Sequence, residues 1–263
     1  MKERACIELI MDEVRDYMVE SYRRRMSFAA QTKEHPNDLL TEADIEVQKR
    51  VVSVISRHFP KDLIVAEESG LNGNPEAVPS RCWTIDPIDG TQNFLRGIFP
   101  VFGLSLAFLE QGKGSAGCVF LPVTGDRFLA ERGKGASWNG KRLAVTRAAS
   151  LELSRVEIDF QGPKYRSTTL TRVESLLKQA GQLRAYGCGV VGFCHVATGE
   201  GELYVNLGLD PWETAVGQLL VEEAGGRVSR LDGSDLLPFD GRSGVIASNG
   251  IIHDQVVEMC SEE

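Results

Sequence analysis

The chain has 263 residues, 42% hydrophobic and 25% charged, which is ordinary soluble globular usage and long enough to bury a full core. Its net charge of −8 argues against nucleic acid as a main partner, because a phosphate backbone wants a basic face. No apolar run approaches the roughly 20 residues of a membrane helix, and the charged start from Lys2 lacks a signal-peptide core, so no membrane partner and a cytoplasmic location are expected.

Residues from about 3 to 30 read as a helix, since Ile7, Ile10, Val14, Met18 and Tyr22 recur at three- and four-residue spacing. A polar break at Gln31–Asn37 follows. Thr41 is then placed as an N-cap, with Asp44 in the capping-box position, for a helix to about His58. Asp62–Ala66 is a short strand-like run ending at Glu67-Glu68, and Leu71–Ser80 is loop. Trp83–Ile85 is strand-like and leads into Asp86-Pro87-Ile88-Asp89-Gly90-Thr91, read as a turn stiffened by Pro87 that opens a short helix. Between Val101 and Val145, short apolar runs broken by glycines predict an antiparallel meander.

After Ser150 strands and helices alternate. Strands are expected at Arg155–Phe160, Leu183–Tyr186, Glu202–Asn206, Arg227–Ser229 and Gly244–Ala247. Helices are expected at Thr168–Ala180, Val190–Thr198, Pro211–Ala224 and from Ile251. This second half is α/β, giving one domain over 1–263 with an α+β lobe, 1–150, and an α/β lobe, 151–263. The six cysteines form no C-x-x-C pair and are expected as reduced, mostly buried thiols.

The chemistry concentrates at Asp86 and Asp89. Carboxylates are hard ligands suited to Mg²⁺ or Mn²⁺, and free N–H groups at a helix start suit a phosphate. The two acids are three apart, not two, which argues against an aspartyl-nucleophile D-x-D motif, and the EF-hand pattern is absent. Glu67 and Glu68 follow another strand-like run and make a shared metal site attractive. Glu213, after Asp210-Pro211-Trp212, also suits an ordinary helix start.

Four blocks carry a resemblance: D-L-L-T-E-A-D at 38–44, A-E-E-S-G at 66–70, W-T-I-D-P-I-D-G-T-Q-N-F at 83–94 and P-W-E-T-A-V-G…E-A-G-G at 211–226. With them the chain resembles the inositol monophosphatase family, within the Mg²⁺-dependent, lithium-sensitive sugar phosphatases. The resemblance implies a layered α/β/α/β/α sandwich of the inositol monophosphatase/fructose-bisphosphatase type and a homodimer. It implies Mg²⁺, two or three ions, with Mn²⁺ as a substitute. Glu67, Asp86 and the Ile88 carbonyl would hold the first ion, and Asp86, Asp89 and Glu213 the second. A third would lie near Glu67, which is thus also counted as catalytic. Thr91 and Asp44 would orient and deprotonate the attacking water, and the N–H groups of Gly90 and Thr91 would bind phosphate.

Three positions depart from the family pattern. Glu213 replaces the usual Asp, so its arm must fold back or the helix start must shift. Asn206 stands where a substrate-contacting Glu is common. Gly187-Cys188-Gly189-Val190-Val191-Gly192 replaces G-S-A-A-L-D, so Gly192 lacks a carboxylate; Gly187, Gly189 and Asn206 are the expected substrate contacts. Lys33, near the place of a family active-site lysine, is read as a solvated loop residue. The expected activity is hydrolysis of a small phosphorylated polyol, inositol 1-phosphate first. Histidinol phosphate, fructose 1,6-bisphosphate, a nucleotide 3′-phosphate and NADP are alternatives, as is a non-catalytic binding protein.

Overall fold

The computed structural model describes residues 1–28, 31–32, 39–69, 80–97, 99–160, 163–237, 239 and 241–261. Two helices open the chain, α1 (Glu3–Arg23) and α2 (Glu42–His58), with the short antiparallel pair β1 (Gln31–Thr32) and β2 (Leu39–Leu40) between them. Ile7, Ile10, Val14 and Met18 are fully buried, the stripe that the helical spacing predicts. α1 stops at Arg23, short of residue 30, because the apolar spacing gives way to three arginines and Arg25 Nη1 turns back onto the Tyr22 carbonyl at 3.0 Å. Lys33, residues 33–38 and the expected loop as far as residue 79 lie outside the described residues.

Seven strands follow in chain order: β3 (Leu63–Ala66), β4 (Arg81–Asp89), β5 (Gly103–Glu110), β6 (Lys113–Leu121), β7 (Asp126–Glu131), β8 (Gly135–Trp138) and β9 (Lys141–Arg142). β3 and β4 are parallel, and β4 to β9 form the antiparallel meander. α3 (Thr91–Arg96) sits in the β4–β5 connection.

The remaining chain alternates as expected: β10 (Arg155–Asp159), α4 (Pro163–Gln179), β11 (Gln182–Arg184), α5 (Gly189–Thr198), β12 (Leu203–Leu209), α6 (Pro211–Glu223), β13 (Arg227–Ser229), β14 (Ser243–Ser248) and α7 (His253–Ser261). Its strands form a second sheet in the order β11-β10-β12-β14-β13, with β10 parallel to both neighbours and the other pairs antiparallel.

Three apolar cores define the layers. Ile7, Ile10, Val47, Val51 and Ile55 of α1 and α2 pack with Trp83, Leu104 and Phe108 on one face of the large sheet. Its other face meets α5 and α6, where Val190, Phe193, Val216 and Leu219 contact Val119 and Phe128 below and Tyr204, Val245 and Ala247 above. α4 and α7 cover the outer face of the small sheet through Val173, Leu176 and Val256. The order helix, sheet, helix, sheet, helix is the expected α/β/α/β/α sandwich. All six cysteines are buried and free.

Candidate metal centre

β4 does not turn at Pro87, as the motif alone suggests; it runs on to Asp89. Asp86 pairs with Ser105 and Asp89 with Gly103, so β4 advances three residues while β5 advances two. That extra residue is a β-bulge. Pro87, which has no N–H to give a ladder, is tolerated there. In a regular strand, residues three apart face opposite sides. The bulge removes that alternation, so Asp86 and Asp89 direct their carboxylates to one place. Asp86 Oδ1 also accepts the Ile88 N–H at 3.0 Å, holding the bulge in shape.

A distant helix supplies the third acid. Ligand atoms of Asp86, Asp89 and Glu213 all lie within 4.8 Å of one another. The longer arm of Glu213 folds back: its Oε2 accepts the Asp210 N–H at 2.7 Å, a capping box at the start of α6. Ser105 Oγ donates to the Trp212 carbonyl at 2.5 Å, tying that helix start to β5 beside Asp86. Glu67 opens a 3₁₀ turn, Glu67–Ser69, after β3, close enough to Asp86 for its charge to raise the Asp86 carboxyl. Gln48 of α2 holds this turn, accepting from Glu68 N at 3.1 Å and donating to Ser69 Oγ at 2.7 Å.

Asp44 reaches the centre from the opposite side. The capping box expected at α2 is present, with Asp44 Oδ2 accepting from Thr41 N at 2.8 Å and from Thr41 Oγ1 at 2.5 Å. Its Oδ1 lies 3.4 Å from Thr91 Oγ1, which also donates to the Ile88 carbonyl at 3.0 Å. Gly90, at φ +82°, lets the chain leave β4 for α3; a Cβ there would lie 2.9 Å from the Val101 carbonyl and 3.2 Å from Cys188 Cβ.

The charges repel. Burial first, then Glu67, Asp89 and Glu213, push Asp86 well above the ordinary carboxylate range. Burial drives half-buried Glu213 the same way, with Asp89 next. Asp89 is pushed up to about 6 by burial, although the Val190 N–H and the Cys188 thiol favour its charged form. Three carboxylates that cannot all ionise alone, with hard oxygens at mutual ligand range, fit a divalent cation such as Mg²⁺.

The rim is built from the start of α5. Asp89 Oδ2 accepts from Val190 N at 2.7 Å and Cys188 Sγ at 3.2 Å. Two residues to which the sequence reading gave no role hold this segment. Asp159, at the end of β10, accepts the Gly187 N–H at 2.7 Å, and Asn93 Nδ2 donates to the Val101 and Tyr186 carbonyls at 2.9 and 2.7 Å. An acid at a strand end was the available signal for Asp159, as it was for Glu67 and Asp86. Gly187 has φ +68°, and a Cβ on Gly189 would sit 3.0 Å from Glu213 Oε1. Asn206 is buried and engaged locally, donating to Tyr204 Oη at 2.9 Å and accepting from Gly208 N at 2.9 Å. Gly192 has a packing reason: a Cβ there would lie 2.4 Å from the Tyr204 ring, whose hydroxyl donates to Asp159 at 3.3 Å.

A profile of the Inositol monophosphatase family matches residues 3–263. The fructose-1,6-bisphosphatase/inositol-1-monophosphatase of Thermotoga maritima is 36% identical over 225 residues, covering 86% of this chain and 83% of that protein. Nus factor SuhB of Xylella fastidiosa is 35% identical over 206 residues, covering 77% and 73%. The solved structure of a Thermotoga maritima IMPase aligns with a TM-score of 0.84 at 31% identity, over 96% of this chain and 95% of that one.

Proposed function

This chain belongs to the inositol monophosphatase family, and on that premise we propose that it is a metal-dependent phosphomonoesterase acting on a small polyol phosphate, with inositol 1-phosphate as the first substrate. The convergence of Asp86, Asp89 and Glu213 from two distant segments carries this reading. Glu67, Asp86 and the Ile88 carbonyl would hold one Mg²⁺, and Asp86, Asp89 and Glu213 another, with Mn²⁺ a suitable substitute. The bound ions supply an acidified water and neutralise charge building on the ester oxygens.

The rest falls to the protein. Thr91 Oγ1, between the Ile88 carbonyl and Asp44 Oδ1, orients the attacking water, and Asp44 takes its proton. The Gly90 and Thr91 N–H groups receive phosphate oxygens. The leaving alcohol lies toward Gly187 and Gly189, with Asn206 behind them. No covalent phosphoenzyme is required. The family also brings two expectations to this chain, inhibition by Li⁺ and a homodimer. Among the described residues no helix is long and apolar enough to cross a membrane.

A panel of inositol 1-phosphate, histidinol phosphate, fructose 1,6-bisphosphate, a nucleotide 3′-phosphate and NADP, assayed with Mg²⁺, tests the substrate. Fructose 1,6-bisphosphate, already an alternative from the sequence, gains support from the Thermotoga relative, which bears that activity in its name. Inositol 1-phosphate turning over no faster than an aryl phosphate would remove it as the substrate. Asp89→Asn should abolish Mg²⁺-dependent turnover; unaltered activity would refute the centre. No turnover across the panel would favour a non-catalytic binding protein, a reading that the Nus factor name of the Xylella relative also motivates.

A further inference from the structure

Gly189 is the first residue of α5 and is buried. It is helical, so the backbone does not ask for glycine there, and alanine is ordinarily the better helix residue. The reason for glycine is space. A Cβ at 189 would lie 2.9 Å from Leu209 Cδ2, 3.0 Å from Glu213 Oε1 and 3.6 Å from Tyr204 Oη. The room that a methyl would take is therefore occupied, and one occupant is an acid of the carboxylate centre.

Neither helix can yield that room. The start of α5 is held through Val190 N, which donates to Asp89 at 2.7 Å, and through Gly187 N, which donates to Asp159 at 2.7 Å. The start of α6 is held by Ser105 Oγ on the Trp212 carbonyl. Glu213 is anchored at its other oxygen, Oε2, by the Asp210 N–H at 2.7 Å. One turn further along both helices the fit repeats in reverse: Gly217 of α6 faces Phe193 of α5, and a Cβ on Gly217 would run into that ring. The two glycines thus fix α5 and α6 at close approach.

Two demands meet on Glu213. Its arm is one C–C bond, roughly 1.5 Å, longer than that of an aspartate. With Oε2 on the cap, the extra length carries Oε1 to the start of α5, while the carboxylate stays within ligand range of Asp86 and Asp89. Metal ligation tolerates displacements of only about 0.2 Å. A methyl carbon 3.0 Å from Oε1 would push it by a few tenths of an ångström, enough to matter. Gly189 and Glu213 are also two of the positions at which the sequence departs from the family pattern, and here they meet. We propose that Gly189 is a positioning residue of the metal centre: its missing side chain lets Glu213 cap α6 and present Oε1 to a divalent cation at the same time. The proposal rests on the reading of Glu213 as a cation ligand.

The test is a double-mutant cycle on the full chain: wild type, Gly189→Ala, Glu213→Asp and the two together, each titrated with Mg²⁺ by calorimetry and melted in chelator. Gly189→Ala should weaken Mg²⁺ binding by about 10–100-fold and lower the melting point in chelator. In the Glu213→Asp background the same alanine should change Mg²⁺ affinity by no more than about threefold and leave the melting point equal or higher, because the shorter arm vacates the space and alanine favours the helix. The Leu209 contact is common to both backgrounds and cancels. An equal loss in both backgrounds, or wild-type Mg²⁺ affinity in Gly189→Ala, would overturn the proposal. If Gly189→Ala fails to fold, the double variant decides: folded with the Mg²⁺ affinity of Glu213→Asp it supports the proposal, and any other result overturns it. Mg²⁺ binding that follows the cycle while no ester of the panel turns over would overturn the phosphatase reading alone. A wild-type chain that binds no Mg²⁺ would overturn both.

Discussion

The starts of α2 and α6 approach the end of β4 from opposite faces of the large sheet, and both close a capping box with an acidic residue in the first turn. At each, one carboxylate oxygen serves the backbone and the other faces the centre. Asp44 gives Oδ2 to Thr41 and turns Oδ1 toward Thr91; Glu213 gives Oε2 to Asp210 and turns Oε1 toward Gly189. The difference lies in the neighbours. Asp44 sits among hydroxyls, which suits handling a proton. Glu213 sits among carboxylates, which suits sharing a cation. One local motif thus serves two chemistries, and tertiary surroundings choose between them.

The contrast can be broken by changing either acid alone. Asp44→Asn keeps an oxygen for the cap but removes the proton acceptor; turnover should fall by roughly 10²–10⁴-fold. The rise in melting temperature on adding Mg²⁺ should persist in that variant, and its disappearance would erase the distinction. Glu213→Gln should do the reverse, weakening the Mg²⁺ response by about 10–100-fold in titrations while excess metal restores much of the rate. An unchanged Mg²⁺ titration would exclude Glu213 from the cation.

Acidity sharpens the comparison further. Asp89 is raised to about 6, and Asp86 and Glu213 are raised well above the ordinary range. An acid with a raised folded pKa binds more protons folded than unfolded, so it stabilises at low pH and loses that stability as pH climbs through its folded value. Metal-free protein should lose this contribution between about pH 4 and 6 and beyond, while metal needs the same groups ionised. The gap in melting temperature between Mg²⁺ and chelator should therefore widen from pH 5 to pH 7.5. A flat gap would mean that these carboxylates do not gather. The smallest effect is expected from Glu213→Asp, whose shorter arm cannot reach both the Asp210 N–H and the cluster. Losing the cap costs about 1 kcal/mol, read as a melting point lower by a few degrees, with activity retained. A total loss of activity would show that the backbone is fitted to Glu.

The legible parts of the sequence were those with local physics. The Thr41–Asp44 cap, the glycine-punctuated meander and the Pro211 helix start each follow from a few neighbouring residues. The bulge did not, because which β5 residue faces Asp86 depends on a strand pairing that Pro87 alone cannot show. Asp159 carries no motif, and Asn93, though inside the 83–94 block, has no local sign of its role; both matter because folding brings the Gly187 N–H and the Tyr186 carbonyl to them. Gly192 read as a missing carboxylate, since nothing local announces the ring of Tyr204 above it.

That contact constrains the routes by which this sequence could change. An acid at position 192 has no room while Tyr204 keeps its ring. Trimming Tyr204 first removes the hydroxyl shared by Asp159 and Asn206. The order of substitutions therefore matters, and single steps in the wrong order lead through a damaged protein. Gly192 and Asn206 are thus physically coupled through the tyrosine between them, so a change at one constrains the other.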